Sequence, residues 1–327
     1  MERISLTYGY VRSRQMEGSY NCDPSIGAWP ITYSRVMRGY GNIDESVWPY
    51  DTDGTSWPPN EPPNVDMLAK KNRIFAYQRI KNLDECKLLI YYYGGVNIAV
   101  EITGLWRTAR GGRIRMPDPS DSIEGSHSFL VIGYDDSTGF LKFKNSWGVN
   151  WGDGGFGRLP YEYFEKYFQE AWFLFPASVQ PELRCTVNKR VINWELASPL
   201  NHLLHGIEIL GDDTDERIGW TFAAEYDGYL NVEELFVMPP FRRNGWSKIL
   251  LQEMVGLSET LDTPLKFWIS HADTGPENMR IIYRLARRAD FVVSDADVRW
   301  ASFEVVKREY PAWFYQSNGH HSSKARS

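Results

Sequence analysis

A chain of 327 residues, 43% hydrophobic and 24% charged, has room for two cores and the balance of an ordinary globular protein. Its net charge of −6 argues against nucleic acid as a partner, and its three cysteines make no disulfide framework. The start, Met1-Glu2-Arg3-Ile4, has no apolar signal core, and the longest mostly apolar run, 88–100, is too short to span a bilayer.

These features lead to the expectation of a reduced, cytoplasmic compartment with no membrane partner. The six histidines show no metal-ligand spacing. In chain order, Leu83-Asp84-Glu85-Cys86-Lys87-Leu88-Leu89 reads as a helix with Cys86 in its middle. Next come Ser126-His127-Ser128-Phe129 and Leu141-Lys142-Phe143-Lys144-Asn145-Ser146-Trp147-Gly148, two strands folded back through the turn-rich Asp135-Asp136-Ser137-Thr138-Gly139. His127 and Asn145 are equidistant from Asp136, so a regular hairpin sets them opposite each other, with Cβ atoms about 4.5–5.5 Å apart. An imidazole beside an amide oxygen is held in one tautomer, as the base of a nucleophile requires. Residues 161–175 read as an aromatic helix and strand, and a boundary is expected at Phe175-Pro176-Ala177-Ser178-Val179-Gln180-Pro181.

The hairpin, followed by Trp151-Gly152-Asp153-Gly154-Gly155-Phe156-Gly157, resembles the C-terminal half of the papain-like cysteine peptidases. Leu6-Thr7-Tyr8 with Arg12, Cys22 to Trp29, Trp48-Pro49-Tyr50 and Arg158-Leu159-Pro160-Tyr161-Glu162-Tyr163-Phe164 resemble further elements of bacterial members. The resemblance implies an α+β domain over 1–176, an antiparallel sheet half with remnants of the helical half. It makes His127 the catalytic histidine, Asn145 its orienting amide, Trp147 the indole shielding them and Trp151 a lining of the leaving-group side. The family's nucleophile, in Gln-x-x-x-x-x-Cys-Trp, lies N-terminal to all these motifs, and the sequence begins beyond that point. A reactive thiol needs a helix N-terminus and a neighbouring imidazole. Cys22 precedes a plausible helix but holds a loop position in the motif order, Cys86 is mid-helix and Cys185 lies past the boundary. The expectation is a domain that does not hydrolyse peptides alone, unless a lost segment or a separate chain supplies the cysteine.

Beyond the boundary, 230–237 reads as a strand, Met238-Pro239-Pro240-Phe241-Arg242-Arg243-Asn244-Gly245-Trp246-Ser247 as a turn entering a helix, and Leu250, Met254, Leu257 and Leu261 as one apolar face. A glycine-bearing loop at a helix start presents backbone N–H groups to an anion such as a pyrophosphate. This segment resembles the GNAT acetyltransferases, and the resemblance implies an α/β domain with a mixed central sheet over 182–315 and acetyl-CoA as cofactor. Arg242, Gly245 and Ser247 fill the motif positions, with Arg243, Asn244 and Trp246 between them, and Phe236 and Val237 would offer backbone groups to the pantetheine arm. Asn278 and Tyr283 match the family's later helix, Tyr283 as the acid that protonates the departing thiolate. Glu233 or Glu234 would accept the proton of an amine acceptor.

The family usually opens with a strand and two helices, whereas here only 182–204 is available and 185–192 reads as strand. The tail 316–327 is polar and expected to be disordered. Three readings follow. The chain is a peptidase completed by a missing segment, an acetyltransferase carrying a peptidase-like domain that binds a peptide or protein, or a non-catalytic fusion.

Overall fold

The structure is a computed structural model that describes residues 3–22, 26–50, 57, 59–179, 181–188, 190–212, 216–270, 291–296 and 300–305, with backbone alone for 183–188, 267–270 and the stretches beyond 290. Asn278, Tyr283 and the tail lie outside the described residues. The chain divides into two units between Val179 and Gln180.

The first unit opens with helices α1 (Leu6–Met16), α2 (Pro30–Gly39) and α3 (Val65–Ala69). Ser5 caps α1 by accepting the Tyr8 N–H at 3.0 Å. Arg12, buried on α1, ties it to Glu61 and Asp66 at 2.6 and 2.7 Å. Strand β1 (Ala76–Arg79) leads to α4 (Leu83–Tyr93), which is capped by Asn82 and ends at Gly94 in the left-handed region, φ 81°. Then follow β2 (Val96–Thr103), β3 (Ile123–Asp135), β4 (Phe140–Lys144), β5 (Phe156–Pro160), α5 (Tyr161–Tyr167) and β6 (Phe168–Phe175). The strands make one antiparallel sheet in the order β1-β6-β2-β3-β4-β5. In β4 and β5 the pleat turns Leu141, Phe143, Gly157 and Leu159 inward and Lys142, Lys144 and Arg158 outward.

One expectation needs correction. The hairpin is not centred on Asp136: it closes at Asp135↔Phe140, and a bulge between Val131 and Gly133 moves the pairing by one residue before it ends at Leu130↔Lys144. Asn145 has therefore left the strand, and its N–H bonds the Gly155 carbonyl at 2.9 Å instead of a β3 partner. Cys22 is exposed in a turn ahead of α2, in keeping with its loop position in the motif order.

The second unit is a sheet of β7 (Glu182–Asn188), β8 (Val191–Ala197), β9 (Leu203–Leu210), β10 (Arg217–Tyr226), β11 (Tyr229–Val237), β12 (Leu265–Ser270), β13 (Phe291–Ala296) and β14 (Trp300–Val305). Its order is β13-β14-β12-β11-β10-β9-β8-β7, and β11–β12 is its parallel pair, joined by helix α6 (Trp246–Thr260). Leu250 and Met254 of α6 pack on Ile207, Ile209, Ala223, Leu230 and Val232, with Leu257 and Leu261 at the margin. Among the described residues, 182–202 hold β7 and β8 and no helix, in keeping with the strand reading of 185–192.

On the opposite face of this sheet the Trp194 indole lies flat against Gly206, where a Cβ would come 2.0 Å from the ring. Gly206→Ala should destabilise the second unit by about 1–3 kcal/mol, since the ring has no free space to take up. Denaturant unfolding would read the loss, and an unchanged midpoint would contradict this packing.

Candidate active site

His127 lies on β3 and Asn145 just past β4, and their side chains meet despite the shifted register, with His127 Nε2 2.8 Å from Asn145 Oδ1. The same amide oxygen accepts the Ser146 N–H at 2.8 Å. Two donors converging on one atom fix it as the oxygen, so Nε2 carries the hydrogen and, in the neutral ring, Nδ1 is bare. Nδ1 has no hydrogen bond among the described residues, and neither has the buried Nδ2 of Asn145. Burial pushes the imidazole below its ordinary pKa, opposed by the bond to Asn145.

Aromatic rings hold the imidazole on two sides. Trp147 lies over it at 4.6 Å between ring centres and 34° between planes. Trp106, fully buried, meets it nearly edge-to-face at 6.0 Å and 78°. Trp106 is itself fixed: its Nε1–H donates to the Tyr163 hydroxyl at 2.9 Å, which donates to the Glu101 carbonyl at 2.9 Å. Its own carbonyl accepts the Trp151 Nε1–H at 2.8 Å. The tight Gly152–Gly155 turn and Gly157, which leaves space for Phe143 and Trp151, bring Trp151 in. The sequence gives no sign of Trp106, because it sits in an aperiodic stretch between β2 and β3.

Of the two cysteines whose side chains are described, neither matches the need for a thiol beside Nδ1. Burial pushes the Cys86 thiol up to about 12, which suppresses thiolate. Cys22 is exposed and has no hydrogen bond to His127, and the Cys185 side chain lies outside the description. Among the described residues no cluster could hold a metal ion.

Residues 14–167 match the family model for papain family cysteine proteases. Over that stretch the first unit is similar to the papain family of cysteine proteases. A peptidase C1-like protein of Acanthamoeba polyphaga mimivirus is 25% identical over 164 residues, 47% of this chain and 52% of its own length. The chain spans about half the length of the first curated relatives it matches, 52% and 45%. The structure of xylellain, a cysteine protease from Xylella fastidiosa, aligns with a TM-score of 0.48 and 26% identity over 53% of this chain and 70% of its own. A solved structure assigned to the GNAT acetyltransferase family, from Desulfovibrio desulfuricans, aligns over 31% of this chain and 68% of its own, with 18% identity and a TM-score of 0.27. No helix among the described residues is long and apolar enough to cross a membrane.

In the second unit the sequence-selected residues from Glu233 to Ser247 gather where β11 leaves β12. The two strands pair only from Leu230↔Leu265 to Val232↔Phe267, while β11 stays with β10 as far as Val237. A bulge falls at the same place: Phe222 faces Glu234 and Ala223 faces Val232, which leaves Glu233 as the extra residue. Glu233 is half-buried and accepts from the Tyr226 hydroxyl at 3.4 Å, whereas Glu234 is buried. Beyond Val237 the chain turns through Pro239–Phe241, and Arg243 and Gly245 take left-handed backbone at φ 68° and 83°. No side chain caps α6, so the N–H groups of Trp246 and Ser247 have no hydrogen bond among the described residues. Asn244 is exposed beside them. Arg242 Nε donates to the Val237 carbonyl at 3.1 Å, and the guanidinium lies 5.4 Å from the Phe236 ring. The Val237 carbonyl, expected to be offered to a cofactor arm, thus already holds the loop.

The lowered His127 pKa has a signed consequence. The unfolded chain protonates this imidazole at a higher pH than the folded one. Stability is therefore undiminished above the ordinary imidazole pKa and falls as pH drops through it toward the depressed folded value. Asn145→Ala should depress the pKa further, because the bond that favours the charged ring is gone. A ¹⁵N NMR titration of His127 gives both values, and a pKa raised in the variant would refute this account of the pair.

Proposed function

We propose that the chain joins an acetyl-CoA-dependent amine N-acetyltransferase to a papain-like domain that binds a peptide or protein segment and does not cleave it unaided. One observation carries the first half: β11 parts from β12 beside an uncapped helix start whose loop contains two left-handed residues. The parting bares strand edge for an amide-bearing chain, and the loop offers N–H groups and the positive helix end to a pyrophosphate. Acetyl-CoA would supply the thioester-bound acetyl group.

The chain's own residues do the rest. Gly245, Trp246 and Ser247 receive the pyrophosphate, Arg242 holds the loop against β11, and Arg243 adds positive charge at its rim. Phe236 lies along the parted edge. Glu233, re-aimed by the bulge and half-buried, fits proton acceptance from an amine better than the buried Glu234. Asn278 and Tyr283 complete the site in this reading, Tyr283 as proton donor to the departing sulfur. Free thiols at Cys22 and Cys86 suit a reducing, cytoplasmic setting.

The bare Nδ1 of His127 favours a second reading, a peptidase whose cysteine comes from another segment or chain. The imidazole is already oriented and shielded, and lacks only the thiol from which it would take a proton.

Calorimetric titration with CoA tests the first half. Gly245→Asp should abolish binding, because a carboxylate would face the pyrophosphate. Gly245→Asn, neutral and tolerant of left-handed backbone, should keep it within about tenfold; equal affinity in all three proteins would remove the cofactor from this loop. For the papain-like domain, an epoxide peptide inhibitor should label no residue of this chain. Labelling at Cys22 would overturn the claim that it does not cleave unaided.

A further inference from the structure

The outer face of β4 and β5 carries a row of cations that neither site uses. Lys142 stands directly across from Arg158, and Arg113 bridges to Arg158 from the other side, so three cations stand abreast on neighbouring strands. Lys144 continues the face one pleat along β4, and Arg110 and Arg115 lie within three residues of Arg113 in the sequence. All six are exposed, and none forms an ion pair among the described residues. Asp153, in the loop before β5, is exposed and pairs with none of them. Like charges set directly opposite destabilise a sheet, so this arrangement weakens the unit unless something acidic covers it.

We propose that this face binds an acidic polypeptide segment in extended conformation. Side chains on one face of a strand repeat at about 6.6–6.8 Å, and neighbouring strands lie about 4.8 Å apart. A peptide with carboxylates at alternate positions has the first repeat, so it meets Lys142 and Lys144 in step and Arg158 and Arg113 across the row. Single-stranded nucleic acid fits less well, because it needs open aromatic faces on which bases stack. Both rings on this face are already covered by its own cations. Arg113 lies 4.8 Å above Phe140, and Lys142 Nζ lies 5.5 Å from Phe156.

The test titrates the full chain with a short fluorescent peptide of alternating Glu and Ser, at low and physiological salt. Binding should weaken with salt. Lys142→Gln with Arg158→Gln should lower affinity by about tenfold, and the melting temperature should hold or rise as the opposed charges go. Unchanged affinity in that variant would overturn the proposal. So would a deoxythymidine oligonucleotide of equal charge that bound as tightly as the peptide, since that result would assign the face to nucleic acid.

Discussion

A hydrogen bond between an imidazole and an amide is informative only where water cannot replace it, and the first unit is arranged around one such bond. The contact of His127 with Asn145 survives because Trp147 covers it and Trp106 supports it from below. The bond to Trp151 and the relay through Tyr163 to Glu101 hold Trp106 itself. Each link recruits a different element: α5 through Tyr163, β2 through Glu101, and the glycine turn before β5 through Trp151. A shift in any of them reaches the imidazole through stiff, close-packed rings.

The second unit depends on an interruption instead. A sheet strand normally keeps both neighbours, yet β11 keeps β12 for three residue pairs and β10 for its whole length. The bulge at Glu233 coincides with the parting, so one irregularity both opens an edge and redirects a carboxylate. The loop that follows stays open because Arg243 and Gly245 leave the right-handed region before α6 begins.

Much of this was legible in the sequence, and what was not has identifiable causes. The motifs around His127, Asn145 and Trp147 located the pair, and the apolar Leu250, Met254 and Leu257 at i, i+4 and i+7 located α6. The register was misread because the turn is centred beyond Asp136, closing at Asp135↔Phe140, and the side chains of His127 and Asn145 meet although Asn145 lies past the end of the strand. Trp106 escaped because a residue in irregular backbone has no period to betray its burial. The cations of β4 and β5 escaped for another reason. Net charge averages over the chain, whereas the pleat and the pairing set Arg113, Lys142 and Arg158 side by side from separate stretches of sequence.

The order of the first sheet carries a consequence for how the unit forms. Its last strand in sequence, β6, is interior, lying between β1 and β2. The sheet cannot close during synthesis until that strand has emerged, and the β1–β6 pairing spans a long stretch of chain, which makes for slow, late assembly. The region matching the family model ends at residue 167, and β6 begins at Phe168. A protein cut where the recognisable family sequence stops would lack a central strand, so the fold's boundary and the family's boundary are different places.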